Sequence, residues 1–271
     1  MVRAMARLVD SNRLEMVRAR ARPEGMFLHE IAIDEIKDRL ELVNRSFTRP
    51  AVVTGFPEIW QAALPDARIV PDTEILDLEP GGHDLVIHGL SLHWSNDPVT
   101  QVFQCAQALA PDGLFLAAAF AGQTLHELRA VLAEVEIEIT GGLSPRVLPM
   151  GEIRSYGQML QSVGLALPVV DSEMKTVTYS DAIALMHDLR AMGEGNALAE
   201  RASHTKRDYF ARTAARYAET FGTEGRIPAT FELIFLTGWA PHESQQKPLK
   251  PGSATARLAD ALGTKETKLS D

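Results

Sequence analysis

Two short, almost uninterrupted apolar runs constrain the fold more than any other feature of this chain. The first is Asp84-Leu85-Val86-Ile87-His88-Gly89-Leu90-Ser91, set off upstream by Gly81-Gly82, and the second is Leu114–Phe120. Neither alternates polar with apolar residues, so neither reads as a strand with one wet face. Strands of this kind are covered on both sides. Between them, Asn96-Asp97-Pro98 offers a cap and a first-turn proline for a helix to about residue 110, and Pro111-Asp112-Gly113 reads as a turn. After them, Thr124 is placed to cap a long helix carrying Leu125, Leu128, Val131, Leu132 and Val135 on one face. Strand, helix, strand, helix with continuously apolar strands predicts a parallel sheet between two helical layers.

The flanks extend this pattern. Phe27, Leu28, Ile31, Ile36, Leu40, Val43 and Phe47 recur at helical spacing before Pro50. Ala51–Thr54 reads as a buried strand, Pro57 opens a short helix over 57–64, and Arg68–Val70 suggests a second strand. Beyond Gly141-Gly142 the spacing predicts helices over 151–164, 181–192 and about 204–221. Strand is expected at Leu167–Val170 and Lys175–Tyr179, with a strong last strand over 229–239. The expected fold is α/β and Rossmann-like, shortened in its first half. The helices at 151–164 and 180–221 are expected to cap the carboxyl ends of the strands. The last strand is expected at the sheet edge, antiparallel. The domain reading is a helical segment over 1–48, an α/β domain over 49–243 with its cap at about 180–225, and a polar tail over 244–271 that frays.

Composition removes several function classes. The chain has 271 residues and a formal net charge of −9, which disfavours general binding to nucleic acid or anionic membranes. Its single cysteine, Cys105, permits neither an internal disulfide nor a cysteine-based zinc site, fits a reducing cytoplasm, and reads as inert core. No apolar run is long enough to span a bilayer. Residues 1–22 hold six arginines, but Asp10 and Glu15 interrupt them, as in a basic amphipathic helix rather than a transit peptide. Neither an H-x-x-H nor a G-x-S-x-G spacing occurs. His126-Glu127 lacks a second histidine four residues on, where Ala130 stands, so no metal site is expected.

The run from Asp84 through Trp94, followed by a helix and then Ala108–Phe120, resembles the centre of class I S-adenosylmethionine (SAM) methyltransferases. Further segments narrow the resemblance: Leu90-Ser91-Leu92-His93-Trp94, the helix start Thr124–Arg129, Gly141–Arg146, Met192–Asn196, Pro228-Ala229-Thr230, and Gly238-Trp239 with His242-Glu243-Ser244-Gln245. Together they resemble the methyltransferase-like assembly factor of respiratory complex I, of the arginine-hydroxylase type, and its alphaproteobacterial relatives. The malonyl-carrier-protein methyltransferase of biotin synthesis is a more distant likeness. The resemblance covers about 8–255 and is strong from 84 onward, weak over 50–80. It implies SAM as cofactor and a protein substrate or partner, such as a complex I subunit. The hydroxylation reported for that family would need an oxidant beyond SAM, which the sequence does not reveal.

The cofactor half departs from the family pattern. Relatives carry a glycine-rich turn after the first strand, and here only Gly55 matches; Phe56 adds bulk and Pro57 removes an N–H donor. Val52 to Asp84 is 32 residues, too few for two full βα units of roughly 25–30 residues each. Asp72 and Glu74 are the nearest acids and read as solvated surface. Candidate cofactor residues are Gly55, His88, Gly89, Ser91 and Trp94, at or near strand ends, where open α/β sheets bind ligands. His93 is the candidate general base. His88 and His93, five positions apart, face opposite sides unless the strand ends between them. Substrate candidates, from the family-like segments, are Ser144, Arg146, Glu194, Asn196, His242 and Glu243. Three readings stay open: a methyltransferase-like protein acting on a protein, a non-catalytic binding or assembly module that has lost SAM, and a methyltransferase of a carrier-protein acyl group or other small molecule.

Overall fold

The two apolar runs pair as neighbours. In the computed structural model, which describes residues 7–201, 205–206, 208–245 and 263–264, β3 (His83–Gly89) and β4 (Leu109–Phe120) lie parallel, with Leu85 opposite Leu114 and Gly89 opposite Ala118. β1 (Pro50–Thr54) runs parallel on the other side of β3, and β2 (Arg68–Pro71) parallel outside β1. β5 (Ala166–Tyr179) and β6 (Ile227–Trp239) complete the order β2-β1-β3-β4-β6-β5. The class I methyltransferase type of α/β fold is therefore present. The shortened first half is visible too. One helix, α3 (Pro57–Ala63), joins β1 to β2, and residues 72–82 reach β3 without any further helix or strand.

Alternation along each strand sends side chains to two separate cores. Leu85 and Ile87 of β3 and Leu114, Leu116, Ala118 and Phe120 of β4 face α2 (Phe27–Leu42), α3 and α5 (His126–Thr140). Val86, Phe115, Ala117 and Ala119 face α4 (Pro98–Ala108) and α6 (Ile153–Ser162). Cys105 is fully buried in that second core, and burial pushes its thiol up to about 12.

Several sequence expectations need correction. The last strand is antiparallel, but it lies between β4 and β5 rather than at the edge. Its burial explains this: nearly all of β6 is buried on both faces, whereas β5 alternates half-buried with exposed residues and tolerates an edge. Residues 166–179 form one strand instead of two. α6 does not belong to the cap, because Tyr156, Met159 and Leu160 pack into the core beneath the sheet. The cap consists of α7 (Ala182–Ala191) and α8 (Tyr209–Phe221), inserted between β5 and β6. Pro111-Asp112-Gly113 is an irregularity inside β4, with Asp112 at φ 61. Thr124 does not cap α5. Its hydroxyl donates to the Glu232 carbonyl and accepts from the Glu232 N–H, clamping β6, while Leu125 starts the helix at φ 55. The first long helix stops at Leu42 rather than running to 47.

A strap crosses the carboxyl ends of the parallel strands. It contains α1 (Ser11–Arg18), whose Asp10 caps the helix by accepting from the Arg13 N–H. One strap end is pinned to the loop after α7 and the other to the last residue of α7. Asp10 N–H donates to Ala197 O at 2.9 Å, Val9 bridges Leu198, and Arg22 N–H donates to Ala191 O at 2.8 Å. Asn96 holds Val9 from the sheet side through both its amide oxygen and nitrogen.

The chain divides into two units, Met1–Pro241 and His242–Asp271. Of the second, only 242–245 and 263–264 are described, so most of the expected polar tail lies outside the described residues.

Candidate functional site

The carboxyl ends of β1 and β2 and the turn that follows β3 open into a crevice beneath the strap, and a second cavity lies between the sheet and the cap. Trp94 borders both. The local backbone explains its position. β3 stops at Gly89, Leu90 turns out of the sheet at φ 47, and one tight helical turn, Leu92–Trp94, delivers the indole.

In the crevice, the floor is Gly55 and the far wall is Asp72, one residue past the end of β2. The Asp72 backbone is fixed from α4: Gln101 donates to the carbonyls of Asp72 and Thr73, while its amide oxygen meets His88 Nε2 at 3.2 Å. Asp72 is not a solvated surface acid. Its side chain is 12% exposed and takes a two-point ion pair from Arg18 of the strap, both bonds 2.8 Å. Burial opposes the charge of Asp72, but the Arg18 guanidinium and neighbouring groups, Ser91 among them, hold its carboxyl below the usual range. Glu74, by contrast, is exposed and pairs with Arg7.

The Phe56 ring turns away, 4.4 Å from the His29 ring and against Gly193. Space directly over Gly55 is taken by the Arg18 guanidinium, 2.2 Å from where a Cβ would stand on that glycine. That obstacle is the far end of a flexible side chain. A bare glycine floor and an acid at the end of the second parallel strand therefore fit the methionine and ribose parts of SAM, provided Arg18 moves.

In the cap cavity, the central group is Glu194, in the loop after α7. Its Oε2 accepts from Trp94 Nε1 at 2.9 Å and sits 3.3 Å from His93 Nε2, while Oε1 is buried without a protein partner. Burial opposes ionisation here also, but His93 and Trp94 keep the carboxyl below its ordinary range. Phe120, Phe210 and Phe231 contribute apolar wall to the same cavity of ≈ 320 Å³. An anionic oxygen without a partner, in an aromatic pocket, suits a cationic or hydrogen-bond-donating group.

The sequence candidates divide accordingly. Gly55 and Trp94 line the crevice; Trp94, Arg146, Glu194 and Asn196 line the cap cavity. Arg146 is committed to Glu136 and lies 4.3 Å over the Tyr209 ring, and Ser144 is bonded to Glu136 behind it, outside the cavity. His88 borders neither cavity; it is fully buried against Gln101, and burial holds its pKa down to about 4. Gly89 is a packing glycine, since a Cβ there would stand 2.5 Å from Trp60. Ser91 is buried beside Asp72. His93 lies behind Trp94 with no exposed side-chain surface, one nitrogen near Glu194 and the other 3.5 Å from Phe120 N–H, so it is placed to orient Glu194 rather than to meet a ligand. β3 does end between His88 and His93, yet the two still serve opposite faces of the sheet. His242 and Glu243 fall in the second unit, where His242 Nδ1 meets Ser244 Oγ at 2.7 Å.

Three buried polar side chains near the two cavities were not singled out as site residues in the sequence. Asp72 carried a signal, an acid immediately after the second parallel strand, which Pro71 obscured. Arg18 meets Asp72 across 54 residues of sequence, and His29 meets Trp60 across 31. No local pattern announces either contact. Among the described residues no group of histidine, cysteine and acidic side chains could hold a metal ion, and no helix is long and apolar enough to cross a membrane.

No family model matches the chain. The chain is 43% identical over 195 residues to the "Arginine-hydroxylase NDUFAF5, mitochondrial" of Dictyostelium discoideum, covering 71% of this chain and 45% of that protein. To the zebrafish (Danio rerio) protein of the same name it is 36% identical over 221 residues, covering 81% of this chain and 69% of that one. It is 35% identical over 178 residues to the malonyl-[acyl-carrier protein] O-methyltransferase of Xylella fastidiosa, covering 65% and 58%. A solved phosphoethanolamine N-methyltransferase 2 of Haemonchus contortus superposes with a TM-score of 0.41 at 10% identity, over 77% of this chain and 53% of that one. The chain thus spans from under half to about two thirds of the relatives it matches. With 36% identity over 69% of the zebrafish protein, the chain belongs to the family of the arginine-hydroxylase NDUFAF5.

Proposed function

We propose that this chain is a SAM-binding, methyltransferase-like protein that receives an arginine side chain of a protein substrate in its cap cavity. The observation that carries the proposal is the shared wall: Trp94 borders both a crevice lined by Gly55 and Asp72 and a cavity lined by Glu194. A protein that brings two reactants together needs two adjoining sites whose mutual orientation is fixed. The name of the relatives, arginine-hydroxylase, supports a guanidinium as the group that meets Glu194.

When bound, SAM would supply an activated methyl group or, in a non-methylating relative, a structural ligand. The chain's own residues do the rest. Asp72 accepts from the ribose hydroxyls, and Gly55 admits the backbone-hugging part of the cofactor. Glu194 accepts from the substrate guanidinium, with His93 and Trp94 fixing its orientation. Phe120 and Phe231 exclude water from the cavity. A subunit of respiratory complex I is the protein partner that the family likeness implies, and co-purification under crosslinking tests it: recovery of no such subunit contradicts that part.

A peptide carrying one central arginine, titrated into the SAH-bound protein, tests the cap cavity. Binding should weaken at least about tenfold in Glu194→Gln and for the citrulline peptide, as expected for a lost charged hydrogen bond. Equal affinity in the variant would remove Glu194 from substrate recognition. The second reading, a binding module without cofactor, is favoured by one observation, the Arg18 guanidinium standing over Gly55. It predicts no heat with SAM or S-adenosylhomocysteine (SAH) even at millimolar concentration.

A further inference from the structure

We infer that Arg18 and Asp72 are a placeholder pair, which the cofactor separates, and that the strap's Arg18 then holds the carboxylate of the cofactor's amino-acid end. This rests on the reading of the crevice as a SAM site. SAM and SAH are bipolar along their length in hydrogen-bonding terms, with a carboxylate at one end and a ribose diol in the middle. The diol asks for an acceptor and the carboxylate for a cation.

The crevice is lined by one cation, Arg18, and by the carboxylates of Asp72, Glu15 and Glu74; the last two are exposed, and the buried Asp72 and Arg18 satisfy one another. The Arg18 fork makes both of its terminal bonds to Asp72, at 2.8 Å, and both side chains are 12% exposed. Its Nε is buried with no protein partner, and the Phe56 ring lies 5.4 Å from the guanidinium carbon. Two cavities, of ≈ 520 and ≈ 540 Å³, are both bordered by Arg18, Gly55 and Pro57. The guanidinium stands over the glycine floor between them. A buried cation facing a buried anion costs little while they are paired and much when either is left alone. A ligand that brings its own carboxylate and its own diol offers each a new partner at once. A nucleoside without the carboxylate would free Asp72 only by stranding Arg18. The pair therefore selects for the whole cofactor over its fragments.

The glycine-rich turn that relatives use for the amino-acid end is reduced here to Gly55. A planar fork that meets a carboxylate at two points is a chemical substitute for the missing backbone N–H donors.

The test compares SAH with its decarboxylated analogue by calorimetry on the full chain. The wild-type protein should bind SAH about 10- to 100-fold more tightly, the size expected for a two-point charged hydrogen bond. In Arg18→Met the preference should fall to near one. In Asp72→Asn both ligands should weaken while the preference persists, because the arginine remains. Equal wild-type affinities overturn the inference, and this comparison stands even if a variant fails to fold. A preserved preference in Arg18→Met, or tighter SAH binding, also overturns it; the latter would mark Arg18 as a plug. Failure of the wild type to bind either ligand removes the SAM reading and this inference with it, whereas binding without carboxylate preference removes the inference alone.

Discussion

Near the carboxyl ends of the strands, buried polar atoms stand without protein partners: His29 Nε2, Arg18 Nε, His88 Nδ1 and Glu194 Oε1. Buried polar atoms are almost always bonded, so each such exception is a place where a polar ligand or water can bond. The two histidines also set a pH dependence. Burial lowers both rings to about 4 from 6.5; the nearby carboxylates of Glu194 and Asp72 oppose it, while His93 and Arg18 add to it. Between those values the unfolded chain takes up protons that the folded chain refuses. The stability they confer is complete above about pH 6.5 and is lost as pH falls towards 4. By pH 5 the loss should be about 2 kcal/mol per ring. Urea unfolding at pH 7.5 and pH 5 measures it, and equal unfolding free energies would contradict the assignment. Asp72 and Glu194, held below their ordinary range, add a further loss at lower pH.

At the scale of elements, two contacts hold the sheet and the site together. Glu127 of α5 is buried and accepts from Thr230 N–H at 3.2 Å and from the Thr230 hydroxyl at 2.5 Å, tying the helix to β6. Thr230→Val leaves a buried carboxylate short of a donor and should cost about 1–3 kcal/mol in unfolding free energy. A change below the error of the measurement would show that the bond is replaceable. Gly89 lets β3 pass under Trp60, which is fully buried and cannot withdraw. Gly89→Ala should cost about 1–3 kcal/mol through overpacking, seen as a lower thermal midpoint; an unchanged midpoint would show that Trp60 has room. The elements themselves were largely legible. Periodicity located the parallel strands and most helices, because their burial is written into consecutive residues. It failed where a tertiary partner decides. Thr124 reads as a cap but is claimed by β6, residues 151–164 read as cap but cover the second core, and the edge position went to β5 because it is the more exposed strand.

For the whole molecule, the cap cavity was partly legible and the crevice was not. Trp94, Arg146, Glu194 and Asn196 stand in family-like segments and do line one cavity. His93, Ser144 and Ser91 stand in such segments too, but they support the walls, since sequence cannot tell a lining residue from the one behind it. Asp72 and Arg18 belong to the stretch of weakest resemblance and to the strap, and they meet only because the fold brings the strap across the strand ends. What the structure places over Gly55 is the Arg18 guanidinium, a side chain from the strap. The proposed function gives the two cavities that Trp94 borders different ligands, the cofactor in the crevice and a substrate side chain under the cap. Calorimetric titration of the cofactor-free protein with SAH tests that account most directly. The account predicts a single site with a dissociation constant in the micromolar range, and the absence of any heat at millimolar SAH would contradict it.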